Sequence, residues 1–144
     1  MSTSKKSTLV DAGPLVATFS RGDRHHETAV AFFAQHRGEL ITTWPVIAES
    51  CHLLRRAPTE RVNLLRWIER GGLKIFDALT DQVSHTITYM EKYADMPMDL
   101  ADASIVIAAI NTGIRNIASI DSDFDIYRLP NRARLTNVLL KIAN

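Results

Sequence analysis

Short apolar runs along the chain alternate with longer stretches in which apolar residues recur every third or fourth position, a pattern that predicts strands interleaved with amphipathic helices. Thr8–Val10 is a brief β-type run closing on Asp11. Ala12, Gly13 and Pro14 then turn the chain into a short helix over Leu15–Phe19, with Pro14 in its first turn. After the polar loop Ser20–Arg24, the spacing of Val30, Phe32 and Phe33 predicts a helix over His25–His36, stopped by Gly38, and Leu40–Thr43 is a second strand. Pro45 opens a helix in which Ile47, Cys51 and Leu54 form one apolar stripe, widened by Val46 and Leu53, while Glu49 lies off it. Thr59 suits the N-cap of a further helix ending at Gly71-Gly72, with Val62, Leu65 and Ile68 or Trp67 facing inward. Leu73–Phe76 is the third strand, Thr80 caps a helix to about Tyr93, and Met96-Pro97 breaks the chain.

The stretch Met98–Asp125 holds the densest information. Asp99 and Asp102 stand three apart and share one face of a helix starting near Asp99. Gly113 suits the left-handed residue that closes such a helix, and Asn116–Ile120 reads as a strand with Asp121 just beyond its carboxyl end. Asp123 and Asp125 follow. Arg132–Leu140 reads as a strand or a frayed helix, with a strand at Leu135–Val138 preferred. The alternation as a whole predicts an α/β domain with a parallel sheet covered on both faces.

At 144 residues and 46% hydrophobic content, the chain is expected to form a single domain over residues 1–144, with 1–7 a flexible polar tail. A formal net charge of +1 announces neither a polyanion nor a membrane partner, so any nucleic acid must be bound locally. The single cysteine, Cys51, has no intramolecular disulfide partner and reads as a small hydrophobe, which fits a reducing, cytoplasmic setting. The longest apolar run, Ile105–Ile110, falls far short of the roughly 20 residues that span a bilayer, and no signal peptide is expected.

Four distant segments each place an acid at a strand end or a helix start: Asp11, Glu49, Asp99 with Asp102, and Asp121 with Asp123. In a parallel sheet all carboxyl ends lie along one edge, so these acids can converge. Converging carboxylates repel unless protons or a cation relieve them. Mg²⁺ or Mn²⁺, which takes carboxylates, water and phosphate oxygens, suits such a pocket, and the chemistry that fits is phosphodiester hydrolysis. Each acid also has a duller role. Asp99 and Asp102 can cap a helix, Asp121 and Asp123 can form Asx turns, and Glu49 can be a solvated helix residue. Asp11 resists dismissal, because an acid ending a buried strand needs a partner. His25-His26-Glu27 reads as a solvated helix start and His52 as a boundary residue. Arg21, Arg24, Arg55, Arg56, Arg115, Arg128, Arg132 and Arg134 offer charge for a nucleic-acid backbone or for solvent alone. Trp44 and Trp67 suit core or dimer packing better than base stacking.

Taken together, the segments LVDAGPLVA at Leu9–Ala17, PVIAESCHLL at Pro45–Leu54, PMDLADASIVIAA at Pro97–Ala109 and IASIDSDFDIYR at Ile117–Arg128 resemble the PIN-domain family, specifically its VapC-type toxins. The resemblance implies a three-layer α/β/α PIN-like domain with a central parallel sheet, a Mg²⁺- or Mn²⁺-dependent endoribonuclease of RNA, a homodimer, and inhibition by a cognate antitoxin. By motif position it implies Asp11, Glu49, Asp102 and Asp121 as catalytic acids, with Asp11, Asp102 and Asp121 on the metal. Asp99, Asp123 and Ser119 are then accessory, Ser119 pointing the same way as Asp121 by strand alternation. Ala12 departs from the pattern, since many relatives carry a hydroxyl residue there. Three alternatives stand beside it. A phospho-accepting receiver domain needs a lysine where Asp121, Ser122, Asp123 and Phe124 stand, and a haloacid-dehalogenase-like phosphatase needs an acid at Gly13. A PIN-like protein that binds without catalysis remains open.

Overall fold

The computed structural model of the protein describes residues 7–143, with side chains to residue 140. The polar tail expected at residues 1–7 lies outside the described residues except for Ser7, which is buried. Among the described residues five short strands form one parallel sheet: β1 (Thr8–Val10), β2 (Leu40–Thr42), β3 (Lys74–Ile75), β4 (Asn116–Ala118) and β5 (Thr136–Asn137). Seven helices flank it among the described residues: α1 (Ala12–Phe19), α2 (His26–Gln35), α3 (Trp44–Leu53), α4 (Pro58–Glu69), α5 (Val83–Lys92), α6 (Leu100–Thr112) and α7 (Val138–Ala143).

The strand order β3-β2-β1-β4-β5 puts β1 in the centre, pairing with β2 through Thr8 and Leu40 and with β4 through Val10 and Ala118. The chain builds outward from β1 on one side, then returns to build the other side. The sheet therefore has its topological switch point at β1 and β4, where open α/β folds leave a crevice at the carboxyl ends of the strands. Asp11 ends β1 at that crevice, and Asp121 follows β4 there.

Helix α6 is apolar nearly all round, and Ala103–Ala109 is buried without a break, as expected of a helix enclosed in a core. Gly113 takes φ +80 at its end, the left-handed closure predicted from sequence. The phase of α4 differs from expectation. Its buried residue is Leu64, with Trp67 and Ile68 packed partly behind it, whereas Val62 and Leu65 are exposed. Phe19 and Phe33 set that rotation by packing on the Trp67 ring at 5.9 and 5.5 Å between centroids.

Several boundaries move for local reasons. Pro58 occupies the first helical position of α4 after Ala57, so Thr59 falls inside the helix and does not cap it. Thr80 donates to Asp77 Oδ2 at 2.6 Å, and α5 starts only at Val83. Leu53 is exposed although it widens the stripe on paper, and Trp44, at the start of α3, is 55% exposed and outside the core. The C-terminal strand is Thr136–Asn137, and Val138 opens α7 where a strand to Val138 was expected, so strand and helix both occur. His26 Nδ1 lies 2.7 Å from the Ala17 carbonyl, a tie between α1 and α2. No helix among the described residues is long and apolar enough to cross a membrane.

Candidate active site

Asp11 is delivered to the crevice by β1 and occupies the N-cap position of α1. Its backbone N–H donates to the Ala118 carbonyl at 3.0 Å, and its Oδ2 accepts from the Ser119 hydroxyl at 2.9 Å. Gly13 allows this turn to lie against Ile120, since a Cβ there would sit 3.3 Å from that side chain. Burial pushes the Asp11 carboxyl up to about 7; bonds from the Ala12 backbone and Ser119 oppose the shift, and Asp121 and Glu49 add to it.

Asp99 is the N-cap of α6, accepting from the Asp102 backbone N–H at 2.8 Å. Its capping role is thus real, and it leaves Asp102 one turn inside with its side chain turned to the site. Asp102 Oδ2 accepts from the Tyr127 hydroxyl at 2.7 Å. Burial is the chief reason its pKa rises to about 7; the Tyr127 bond opposes this, and repulsion from Asp99, Asp11 and Asp121 adds to it. Glu49 is raised by burial and then by Asp99, Asp102 and Asp121, and Asp123 by burial and then by Asp121 and Asp99. Asp121 Oδ1 accepts from the Asp123 N–H at 3.1 Å, an Asx turn that aims the loop after β4. Each of these six acids, from four segments, thus feels the charge of others among them at the crevice.

Three supports escaped the sequence reading. Thr43, the N-cap of the helix carrying Glu49, lies 2.6 Å from the Ser104 hydroxyl, joining α3 to α6 inside the core. Tyr127 reaches Asp102 from the loop after β4; it lies inside the Ile117–Arg128 segment, where only the acids and Ser119 stand out by residue type. Asn137 of β5, nearly buried, accepts from Ser119 N–H and Leu140 N–H, both at 3.3 Å, and donates to the carbonyls of Ser119 at 3.1 Å and Asp121 at 3.4 Å. It clamps the two site residues after β4 and caps α7 with one amide. Asn137→Ala is expected to lower stability by roughly 3 kcal/mol, because it takes this partner from the buried N–H and carbonyl of Ser119 and from the half-buried groups of Asp121 and Leu140. Thermal denaturation measures the loss, and hydrogen exchange should show the Ser119 amide losing protection.

The Ser119 bond can be tested through its charge dependence. A hydrogen bond to an ionised acceptor is worth roughly 1.5–3 kcal/mol, against about 1 kcal/mol for a neutral one. Ser119→Ala should therefore cost more stability at about pH 8, where Asp11 is ionised, than at about pH 5, where it is protonated. Urea titrations giving the same loss at both pH values would contradict this account.

The donor set is all oxygen and anionic. Among the described residues no lysine or arginine pairs with these acids; the ion pair Lys74–Glu39, at 2.8 Å, sits near the amino ends of β2 and β3. No three of the acids close on one point as a finished ligand cage among the described residues. Such a pocket fits a hard divalent cation that keeps water in its shell and takes only one or two carboxylates at a time.

The chain is thus a three-layer α/β/α domain with its acids gathered at the switch point of the parallel sheet. Residues 8–129 match the PIN domain family, and the chain belongs to it, which sets aside the receiver-domain alternative. No curated protein has significant sequence similarity to the chain. Among solved structures it is similar to VapC20 of Mycobacterium tuberculosis, a sarcin-ricin loop cleaving toxin, with TM-score 0.74 and 21% identity, covering 81% of this chain and 91% of that one. VapBC2 from Rickettsia felis, bound to a DNA fragment from their promoter, matches with TM-score 0.61 and 14% identity over 91% of this chain and 98% of that one. PAE2754 from Pyrobaculum aerophilum matches with TM-score 0.57 and 18% identity over 95% of both chains. At these identities the likeness is one of fold.

Proposed function

We propose that the chain is a divalent-metal-dependent endoribonuclease, the toxin component of a toxin–antitoxin pair. The observation that carries this reading is the gathering of carboxylates from four segments at the crevice, with Asp11 and Asp102 buried enough to hold protons to about pH 7. In the proposed site Asp11, Asp102 and Asp121 hold Mg²⁺ or Mn²⁺, one or two of them directly and the rest through its water, Ser119 orients Asp11, and Asp99 and Asp123 shape the field around them. When bound, such a cation offsets charge on the phosphodiester and acidifies water. Glu49, partly exposed and with a raised pKa, takes the proton of the attacking water. Exposed arginines bind the RNA backbone.

Two of the structural neighbours named above bear VapC or VapBC names, which supports a toxin role. The cognate antitoxin is assigned to a groove of about 450 Å³ between α1, α2 and α4, lined by Phe19, Val30, Phe33 and Trp67 with Arg66 and Arg70 at its rim. A homodimer and a cytoplasmic location complete the proposal. The test is incubation of the purified chain with total RNA and either ion, at concentrations that saturate a metal site measured by calorimetry. Endonucleolytic products that vanish with EDTA are expected. A chain that binds the ion and cuts nothing would instead be a PIN-like binding protein.

A further inference from the structure

The position of Asp102 is fixed at both ends. Its backbone N–H is held by Asp99 Oδ1 at 2.8 Å, and its Oδ2 accepts from the Tyr127 hydroxyl at 2.7 Å. Among the described residues no donor contacts its other oxygen. The Tyr127 ring is fully buried and cannot swing: Tyr93 and Phe124 pack edge-on against it, at 5.1 and 5.4 Å between centroids. The next residue is pinned to α5, since Tyr93 Oη accepts from Arg128 N–H at 2.9 Å and the Tyr89 hydroxyl donates to the Arg128 carbonyl at 3.2 Å. Three tyrosines thus meet here, yet two serve the backbone of Arg128 and only Tyr127 serves a site acid. For packing alone, phenylalanine would fill the same space.

We propose that Tyr127 is a positioning residue of the metal-dependent nuclease described above: its hydroxyl occupies one oxygen of Asp102 and so presents the other to the cation. The inference rests on that functional reading. A carboxylate with one oxygen held by a neutral donor loses the freedom to rotate or to bind in a bidentate manner, and it meets the ion already oriented. Outer-shell partners of this kind typically contribute about 10–100-fold to metal affinity.

Calorimetric titration of MnCl₂ without RNA into the wild-type chain, Tyr127→Phe, Tyr93→Phe and Asp102→Asn separates this role from packing. Tyr127→Phe should bind Mn²⁺ about 10-fold or more weakly, and its RNA cleavage should recover when Mn²⁺ is raised to saturate the variant. Tyr93→Phe, which removes a hydroxyl from the same cluster without touching Asp102, should keep its Mn²⁺ affinity within about twofold even where its melting temperature falls. Wild-type affinity in Tyr127→Phe beside lost binding in Asp102→Asn overturns the proposal and leaves the nuclease reading standing. Equal weakening in Tyr93→Phe overturns it too, by showing a general loosening of the cluster. A wild-type chain that binds no Mn²⁺ overturns the metal reading itself. The unsubstituted protein gives an independent readout: Mg²⁺ should shift the assigned NMR ring resonances of Tyr127 more than those of Tyr89, and equal shifts count against the proposal.

Discussion

Replacing Asp11 with asparagine is expected to lower RNA cleavage by about 10³-fold or more while raising the melting temperature of the metal-free protein. The two effects have one cause. Asp11 is 6% exposed, and among the described residues it meets no cationic side chain, only the Ser119 hydroxyl and the Ala12 backbone. Keeping it ionised at about pH 8, with a pKa raised to about 7 from 3.8, costs the fold on the order of a few kcal/mol. Asparagine has nearly the same shape, still accepts from Ser119, and removes the charge. It also removes the oxygen anion that a divalent ion needs. Gel assays with labelled RNA and paired thermal melts in EDTA measure both. Normal cutting by Asp11→Asn would refute the site assignment, and a large fall in melting temperature would show that the residue is structural first.

The second large effect is in the response to pH and metal. Asp11 and Asp102 both have folded-state pKa values near 7 against a reference of 3.8, so between those values the folded protein holds protons that the unfolded chain has released. Stability of the metal-free protein is therefore greatest below about pH 4 as far as these two groups decide it, and it falls as the pH rises through about 7. A divalent cation binds the ionised acids, so its affinity rises over the same interval and its binding displaces protons. In EDTA the melting temperature is expected to fall by roughly 5–10 °C between about pH 5.5 and pH 8, and saturating Mg²⁺ should raise it most at the upper end. Calorimetry in two buffers of different ionisation enthalpy should show about one proton released per ion bound near neutral pH. A melting temperature that climbs with pH in EDTA would mean that these acids are paired in some other way.

Much of the architecture could be read directly from the chain. The period switch between apolar runs and helical stripes located β1, β2, α3 and α6, and Asp11, Asp99, Asp102 and Asp121 stood out because each interrupts or bounds an apolar element. The misreadings share a mechanism. The rotation of α4 was set by Phe19 and Phe33 against Trp67, partners roughly 35–50 positions away, so the local spacing of Val62 and Leu65 was no guide. The C-terminal end is hard to read because Asn131 and Arg132 both take φ near +60, and only the asparagine is of a type that favours it. Beyond it, one short segment serves first as a strand and then as a helix.

Tyr127 and Asn137 mark the limit of what linear order carries. A tyrosine in a polar loop and an asparagine beside an apolar run are ordinary residues until the fold sets one 2.7 Å from Asp102 and the other across the backbone of Ser119 and Asp121. Residue type and local period carried the acids, the order of the elements and the family, because both are written in the linear chain. Which acids are buried, and which neutral donors hold them in place, came from the packed fold. Burial and hydrogen-bond geometry arise when distant segments are packed together, and no single segment contains them.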